Sequence, residues 1–183
     1  MESIVSMTAE DRRRMQIFCG TGQGYRGLSL DALEQCVTSL LKPNRVAHVL
    51  GCRDTAVALA RHWGADEKDA ARAGLLHDIT KALDGQLQLT LCAEYGIILD
   101  DFSKENPKTL HALTGSLVAE RIFGENESVV AAITPPEKQV CPCLKKSFMW
   151  QTIWSQTGTF PGCRGFVSWP LPILTRRCGL GLL

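Results

Sequence analysis

Ala73-Gly74-Leu75-Leu76-His77-Asp78-Ile79-Thr80-Lys81 is the stretch whose reading decides the fold. It extends a segment that Asp66 can cap as a helix, and at helical period Ala70, Ala73, His77 and Lys81 share one face. The small residues Ala70, Ala73 and Gly74 permit close contact with a neighbouring helix. The same face then carries an imidazole and an ammonium one turn apart, beside the Asp78 carboxylate. A His-Asp pair alone says little, since chance supplies one in on the order of one chain in five of this length. Its surroundings carry the argument.

Working outward, the signals are helical from Ser29 onward. Ser29 caps a helix with Leu30, Leu33, Val37 and Leu40 at three- and four-residue spacing, and Pro43 stops it. Pro43 then opens the next helix, which runs through Val46, Val49, Val57 and Leu59 to Trp63 and ends at Gly64. Leu87, Leu91 and Tyr95 mark a fourth helix closed by Gly96, although the alternation of Leu87, Leu89 and Leu91 also fits a strand. A polar connection from Asp100 to Asn106 leads to Pro107 and a helix through Leu110, Leu113, Leu117 and Val118, ended at Gly124. Asn126 caps a last helix, Val129 to Ile133, broken by Thr134-Pro135-Pro136. Successive helices without a convincing strand predict an all-α bundle over residues 29–133.

Residues 1–28 read as a poorly defined lead-in. Gly22-Gln23-Gly24-Tyr25-Arg26-Gly27 fits G-x-G-x-x-G, and Met15 to Cys19 suits a short strand, but no βαβ frame or ribose-binding acid follows. A Gly-rich lead-in is therefore favoured over a dinucleotide fingerprint.

At 183 residues the chain suits one domain, and its formal charge of +1 argues against the basic field of a nucleic-acid binder. No apolar run reaches membrane-span length and no signal-peptide core is seen, so the expected setting is cytoplasmic. Cys19, Cys36, Cys52 and Cys92 are widely spaced and read as reduced thiols, the last three in helices. Cys141 and Cys143 form a C-x-C that could begin a zinc site with Cys163 and Cys178, but the spacing is poor and no His accompanies it.

The chemistry lies in the imidazoles. His48 and His111 come from two helices other than the one bearing His77-Asp78, and imidazoles with a carboxylate from separate helices are how bundle cores hold iron, manganese or zinc. His62, at a helix end beside Trp63 and Gly64, reads instead as a surface residue suited to the helix dipole.

Arg45-Val46-Ala47-His48-Val49-Leu50-Gly51, the stretch Ala73 to Lys81, Tyr95-Gly96-Ile97 and Leu110-His111-Ala112-Leu113-Thr114-Gly115 together resemble successive blocks of the YqeK family. That family is a bacterial branch of the HD-domain metal phosphohydrolases that cleave diadenosine tetraphosphate symmetrically to two ADP. The resemblance implies an all-helical HD fold with a two-iron centre, a dinucleoside polyphosphate substrate and a possible homodimer. It places His48, His77, Asp78 and His111 on metal-ligand positions, Asp78 and Lys81 on catalytic positions, and Arg45 and Lys81 on phosphate contacts. Such chemistry is consistent with the residue types, since metal ions acidify bound water and neutralise phosphoryl charge. The competing reading is a noncatalytic nucleotide- or metal-binding helical protein.

The resemblance stops near Ile133, where composition also breaks. Residues 1–133 hold 14 Lys+Arg and 18 Asp+Glu, whereas 134–183 hold 6 and 1; all sixteen Ala and all four His lie in the first part. Three of four Trp and six of eight Pro lie in the second. A His-Thr-Thr-Gly block and a Val-Ala-Asp-Tyr block, each with a further metal ligand in the family, are absent. Back-translated, Met149-Trp150-Gln151-Thr152 is ATG TGG CAR ACN, and regrouping one base earlier gives Val-Ala followed by Asp or Asn. The segment 134–183 therefore reads as frameshift-derived, an aberrant irregular tail expected to lack stable packing and to leave the two-metal site incomplete; a divergent natural segment is the alternative.

Overall fold

The computed structural model describes residues 7–135. The expectations for the tail, including the Cys141/Cys143 pair and the Met149 to Thr152 block, lie outside the described residues. Among these residues there are eight α-helices and no strand: α1 Ala9–Phe18, α2 Leu30–Leu40, α3 Pro43–Trp63, α4 Glu67–Leu76, α5 Gly85–Glu94, α6 Asp101–Glu105, α7 His111–Val118 and α8 Glu127–Ile133. A 3-10 turn, Pro107–Leu110, precedes α7, and a π-helical turn, Ala119–Phe123, follows it. The expected all-α bundle is the observed architecture.

Most helix ends sit where local chemistry puts them. The Ser29 hydroxyl accepts from the Ala32 amide at 3.2 Å, Pro43 opens α3, and Gly64 closes it in the left-handed region at φ 69°. Asp66 caps α4 through the Lys68 and Asp69 amides, and Asn126 caps α8 through Val129. Thr134, before Pro135, is extended and ends α8. The Leu87-Leu89-Leu91 alternation is helical, with Leu91 fully buried in α5.

Four expectations need correction. Met15 to Cys19 is not a strand: the Thr8 hydroxyl accepts from the Asp11 amide at 3.1 Å, two acids sit in the first turn, and Ala9–Phe18 is a helix. That helix is no ill-defined lead-in, because Met15 and Phe18 bury in the same core as Leu33, Val37, Leu76 and Phe123. The polar connection after Asp100 contains α6, capped when Asp100 accepts from the Ser103 amide at 2.7 Å. Finally, α4 ends at Leu76, so His77 to Lys81 form tight turns instead of a last helical turn. There the amides of Ile79, Lys81 and Leu83 bond three residues back, and the Thr80 carbonyl, which takes the Leu83 amide, also accepts from the Gln88 side chain at 2.7 Å.

Three contacts fix the frame around the site. Helices α3 and α4 pack so closely that a Cβ on Gly74 would lie 2.6 Å from the Arg53 Cα, which explains the small residues along α4. Arg14 is buried and donates from Nε to the Leu40 carbonyl at 2.7 Å, tying α1 to the end of α2. Arg72 forms a two-pronged pair with Glu125, both bonds 2.6 Å, and donates to the Leu28 carbonyl at 2.9 Å, joining α4 to the segments before α2 and α8. The Gly22–Gly27 stretch is a turn, with Gly22 at φ 72° against the Ile122 carbonyl; no strand precedes it among the described residues, so it lacks the frame of a dinucleotide fingerprint.

Candidate metal centre

Helix α3 carries Arg45 and His48 near its start, the turn after α4 carries His77, Asp78 and Lys81, and α7 begins at His111. These segments meet at the Asp78 carboxylate, whose side chain is 5% exposed. Asp78 Oδ2 lies 3.6 Å from His48 Nε2 and 3.7 Å from His77 Nε2, and Oδ1 lies 3.7 Å from His111 Nε2. One carboxylate thus presents its two oxygens to different imidazoles. Arg45 donates from Nη2 to Oδ2, and Lys81 Nζ lies 2.9 Å from His111 Nε2. The structure therefore brings together all six residues that the sequence singles out: Arg45, His48, His77, Asp78, Lys81 and His111. His62 sits at the far end of α3 with its ring 4.8 Å from the Trp63 ring. Fourteen residues of helix, roughly 21 Å, separate it from His48.

The imidazoles are oriented by their other nitrogens. His77 Nδ1 lies 2.8 Å from the Gly74 carbonyl and His111 Nδ1 lies 2.9 Å from the Lys108 carbonyl. A carbonyl only accepts, so each Nδ1 bears a proton and each Nε2 is turned toward Asp78. This is how metal-binding histidines are held, and the donor set therefore fits a divalent ion. Burial, then the charges of His77 and Arg45, lower the pKa of His48; burial, then Lys81, lower that of His111. Both imidazoles are thereby biased to the neutral form that ligates. Burial raises the Asp78 pKa, but the charges of His77, Lys81, His111 and Arg45 outweigh it and hold the carboxyl below its ordinary value. Lys81 is lowered, chiefly by burial.

Two features were missed in the sequence reading. Cys52 follows His48 by four residues, and its buried Sγ lies 3.6 Å from His48 Nε2; the donor atoms of His48, Cys52 and His77 are mutually within 4.8 Å. The i, i+4 spacing was the available signal. A buried polar network also sets the site: the Thr80 hydroxyl donates to the His111 carbonyl at 2.9 Å, Thr114 donates to Gln88 Oε1 at 2.7 Å, and Gln88 holds the Thr80 carbonyl. No local sequence pattern announces it, because its members lie 26 to 34 residues apart or on different elements.

Helices that gather a His-Asp pair and further imidazoles around one carboxylate define the HD class of domain. Residues 45–138 match the HD domain family, and the chain belongs to it. It is similar to a crystal structure of a predicted HD superfamily hydrolase involved in NAD metabolism from Clostridium acetobutylicum, with TM-score 0.62 and 30% identity, covering 74% of this chain and 73% of the other. It is 31% identical over 102 residues to a symmetrical bis(5'-nucleosyl)-tetraphosphatase of Bacillus subtilis, covering 54% of this chain and 53% of that protein. The corresponding protein of Halalkalibacterium halodurans is 34% identical over 100 residues with the same coverage. A ribonuclease Y of Oleidesulfovibrio alaskensis is 31% identical over 121 residues, covering 66% of this chain but 19% of that protein. The chain spans about half the length of the tetraphosphatases it matches. No helix among the described residues is long and apolar enough to cross a membrane.

Proposed function

We propose that this chain is a metal-dependent phosphohydrolase that takes a dinucleoside polyphosphate, cleaving diadenosine tetraphosphate symmetrically to two ADP. The observation that carries the reading is Asp78, with both oxygens facing imidazole Nε2 atoms and with Arg45 and Lys81 in the same cluster. His48, His77, Asp78 and His111 are the residues that would hold metal, and iron is the ion the family resemblance implies. A divalent ion there supplies acidified water and charge neutralisation on the phosphoryl group.

Arg45 and Lys81 do the remaining work. Arg45 Nε is buried and has no acceptor, so a phosphate oxygen reaching it would satisfy a donor that is otherwise costly to bury. Lys81 adds an ammonium beside His111 and stabilises charge that grows on the phosphoryl oxygens. Asp78 acts as the shared anchor. A homodimer belongs to the same family reading, and light scattering tests it.

The test loads the full chain with iron(II) and follows ADP release from diadenosine tetraphosphate, beside Asp78→Ala. ADP release that Asp78→Ala abolishes supports the proposal. Metal binding without turnover favours the noncatalytic reading. The similarity to ribonuclease Y justifies one further arm, a single-stranded RNA oligonucleotide; RNA cleavage without ADP release overturns the assigned substrate.

A further inference from the structure

We propose that Cys52 is a sulfur ligand of the metal ion held by His48 and His77, with Asp78 as the fourth donor. The inference rests on the metal-binding part of the function proposed above and adds a residue that the family resemblance does not supply. Helix α3 places His48 and Cys52 one turn apart on one face, and the turn after α4 brings His77 and Asp78 against them. Around a tetrahedral ion with Zn–N near 2.0–2.1 Å and Zn–S near 2.3 Å, neighbouring donor atoms stand about 3.3 to 3.6 Å apart. The separations here are 3.6 Å for Cys52 Sγ to His48 Nε2, 3.6 Å for His48 Nε2 to Asp78 Oδ2 and 3.7 Å for His77 Nε2 to Asp78 Oδ2. These three separations stand close to the spacing that one ion requires, and the donor atoms of His48, Cys52 and His77 all lie within 4.8 Å of one another.

The surroundings of Cys52 point the same way. A buried thiol that merely fills space sits among apolar groups. This one is 4% exposed yet faces an imidazole, with its Sγ 3.6 Å from His48 Nε2. On ligation the thiol proton leaves to solvent, the sulfur binds as thiolate, and the ion's charge replaces the proton's. A sulfur donor shifts preference toward zinc, cobalt and iron(II) and away from manganese and magnesium, which favour oxygen ligands.

Cobalt(II) is the probe, titrated into the metal-free full chain. Visible ligand-field absorption reports binding, and a near-ultraviolet sulfur-to-cobalt charge-transfer band reports thiolate ligation. The wild type should show both. Cys52→Ala should keep the ligand-field absorption, lose the charge-transfer band and bind cobalt at least about tenfold more weakly. Its affinity for manganese(II) should change by no more than about twofold. The quadruple variant C141S/C143S/C163S/C178S alters no described residue and should retain the band, which places the sulfur among Cys19, Cys36, Cys52 and Cys92 even if Cys52→Ala does not fold. Of these, Cys52 is the one grouped with other possible metal donors among the described residues. Ligand-field absorption without charge transfer in the wild type overturns sulfur ligation and leaves the metal centre standing. No cobalt binding at all overturns both. A band that survives Cys52→Ala, or disappears in the quadruple variant, assigns the sulfur elsewhere and overturns the proposal.

Discussion

Lys81 Nζ approaches His111 Nε2 to 2.9 Å, so the ammonium occupies the lone pair that the Lys108 carbonyl leaves available by holding Nδ1–H. An ion on His111 has to displace Lys81, and the displaced ammonium becomes free to meet an anionic oxygen. Lys81→Met should therefore leave metal content unchanged or tighter. It should lower kcat/KM for diadenosine tetraphosphate by about a hundredfold, the scale of a lost charge-stabilising donor. Metal analysis and ADP release measure the two separately. Loss of metal from Lys81→Met would mean that the ammonium supports the fold of the centre.

The buried network behind His111 gives a second expectation. Thr114 and Gln88 are 0% and 1% exposed, so Thr114→Val leaves Gln88 Oε1 without its donor where water cannot replace it. The cost should be about 1–3 kcal/mol in urea unfolding, the desolvation penalty of an unsatisfied buried acceptor. Because Gln88 in turn holds the Thr80 carbonyl, metal affinity should weaken as well. Unchanged stability would show that the network relaxes or takes in water.

Gly74 tests the α3–α4 contact. Its Cβ would meet backbone, the Arg53 Cα at 2.6 Å, and backbone cannot step aside as a side-chain tip can. Gly74→Ala should destabilise by about 1–3 kcal/mol through overpacking, despite alanine's better helix propensity. A gain in melting temperature would refute the contact.

How far the sequence was legible follows from the range of the interactions. Ser29, Asp66 and Asn126 announce helix starts because a cap acts within three residues, and Gly64 and Gly124 announce ends because each takes a left-handed φ. His77 to Lys81 resisted that reading: their spacing is helical, but Thr80 is claimed by His111 and Gln88 from other elements, and those bonds win over one more helical turn. Helix α1 escaped because its burial depends on distant partners, Arg14 reaching Leu40 and Phe18 meeting the Tyr95 hydroxyl. The six residues of the cluster each stand out in the sequence one by one. Their convergence on the two oxygens of Asp78, and the place of Cys52 beside them, needed the packing of α3 on α4.

The composition break near residue 133 leads to an expectation about activity. If the segment after Ile133 is frameshift-derived, a chain shifted back into the frame that carries the His-Thr-Thr-Gly and Val-Ala-Asp-Tyr blocks should gain the two further ligands that the family resemblance implies. Two ions together activate water and stabilise the leaving oxygen, so the restored chain should turn over diadenosine tetraphosphate at least about a hundredfold faster and hold close to two ions per chain. Purified, metal-reconstituted proteins assayed for ADP release and metal content decide it. Equal rates would show that the segment after Ile133 is dispensable for turnover.

Tyr95 supplies a pH dependence remote from the metal ligands. Its hydroxyl donates to the Phe18 carbonyl at 2.6 Å, and the Arg121 guanidinium lies 4.7 Å from the ring centroid. Burial, aided by the Cys19 charge and opposed by Arg121, pushes the phenol well above its usual value of 10.0. In the unfolded chain the phenol gives up its proton near pH 10, whereas the folded chain keeps it. The stabilisation from Tyr95 is therefore fully present below about pH 10 and is lost as pH rises toward the folded value, at up to about 1.4 kcal/mol per pH unit. Tyr95→Phe should cost about 0.5–1.5 kcal/mol at pH 8, because the Phe18 carbonyl loses its donor. Above pH 10 its stability should fall less steeply than the wild type's by one proton's worth, so that the two curves converge. Urea unfolding at pH 8, 10 and 11 measures both effects, and parallel curves across that range would show that Tyr95 ionises alike in the folded and unfolded chains.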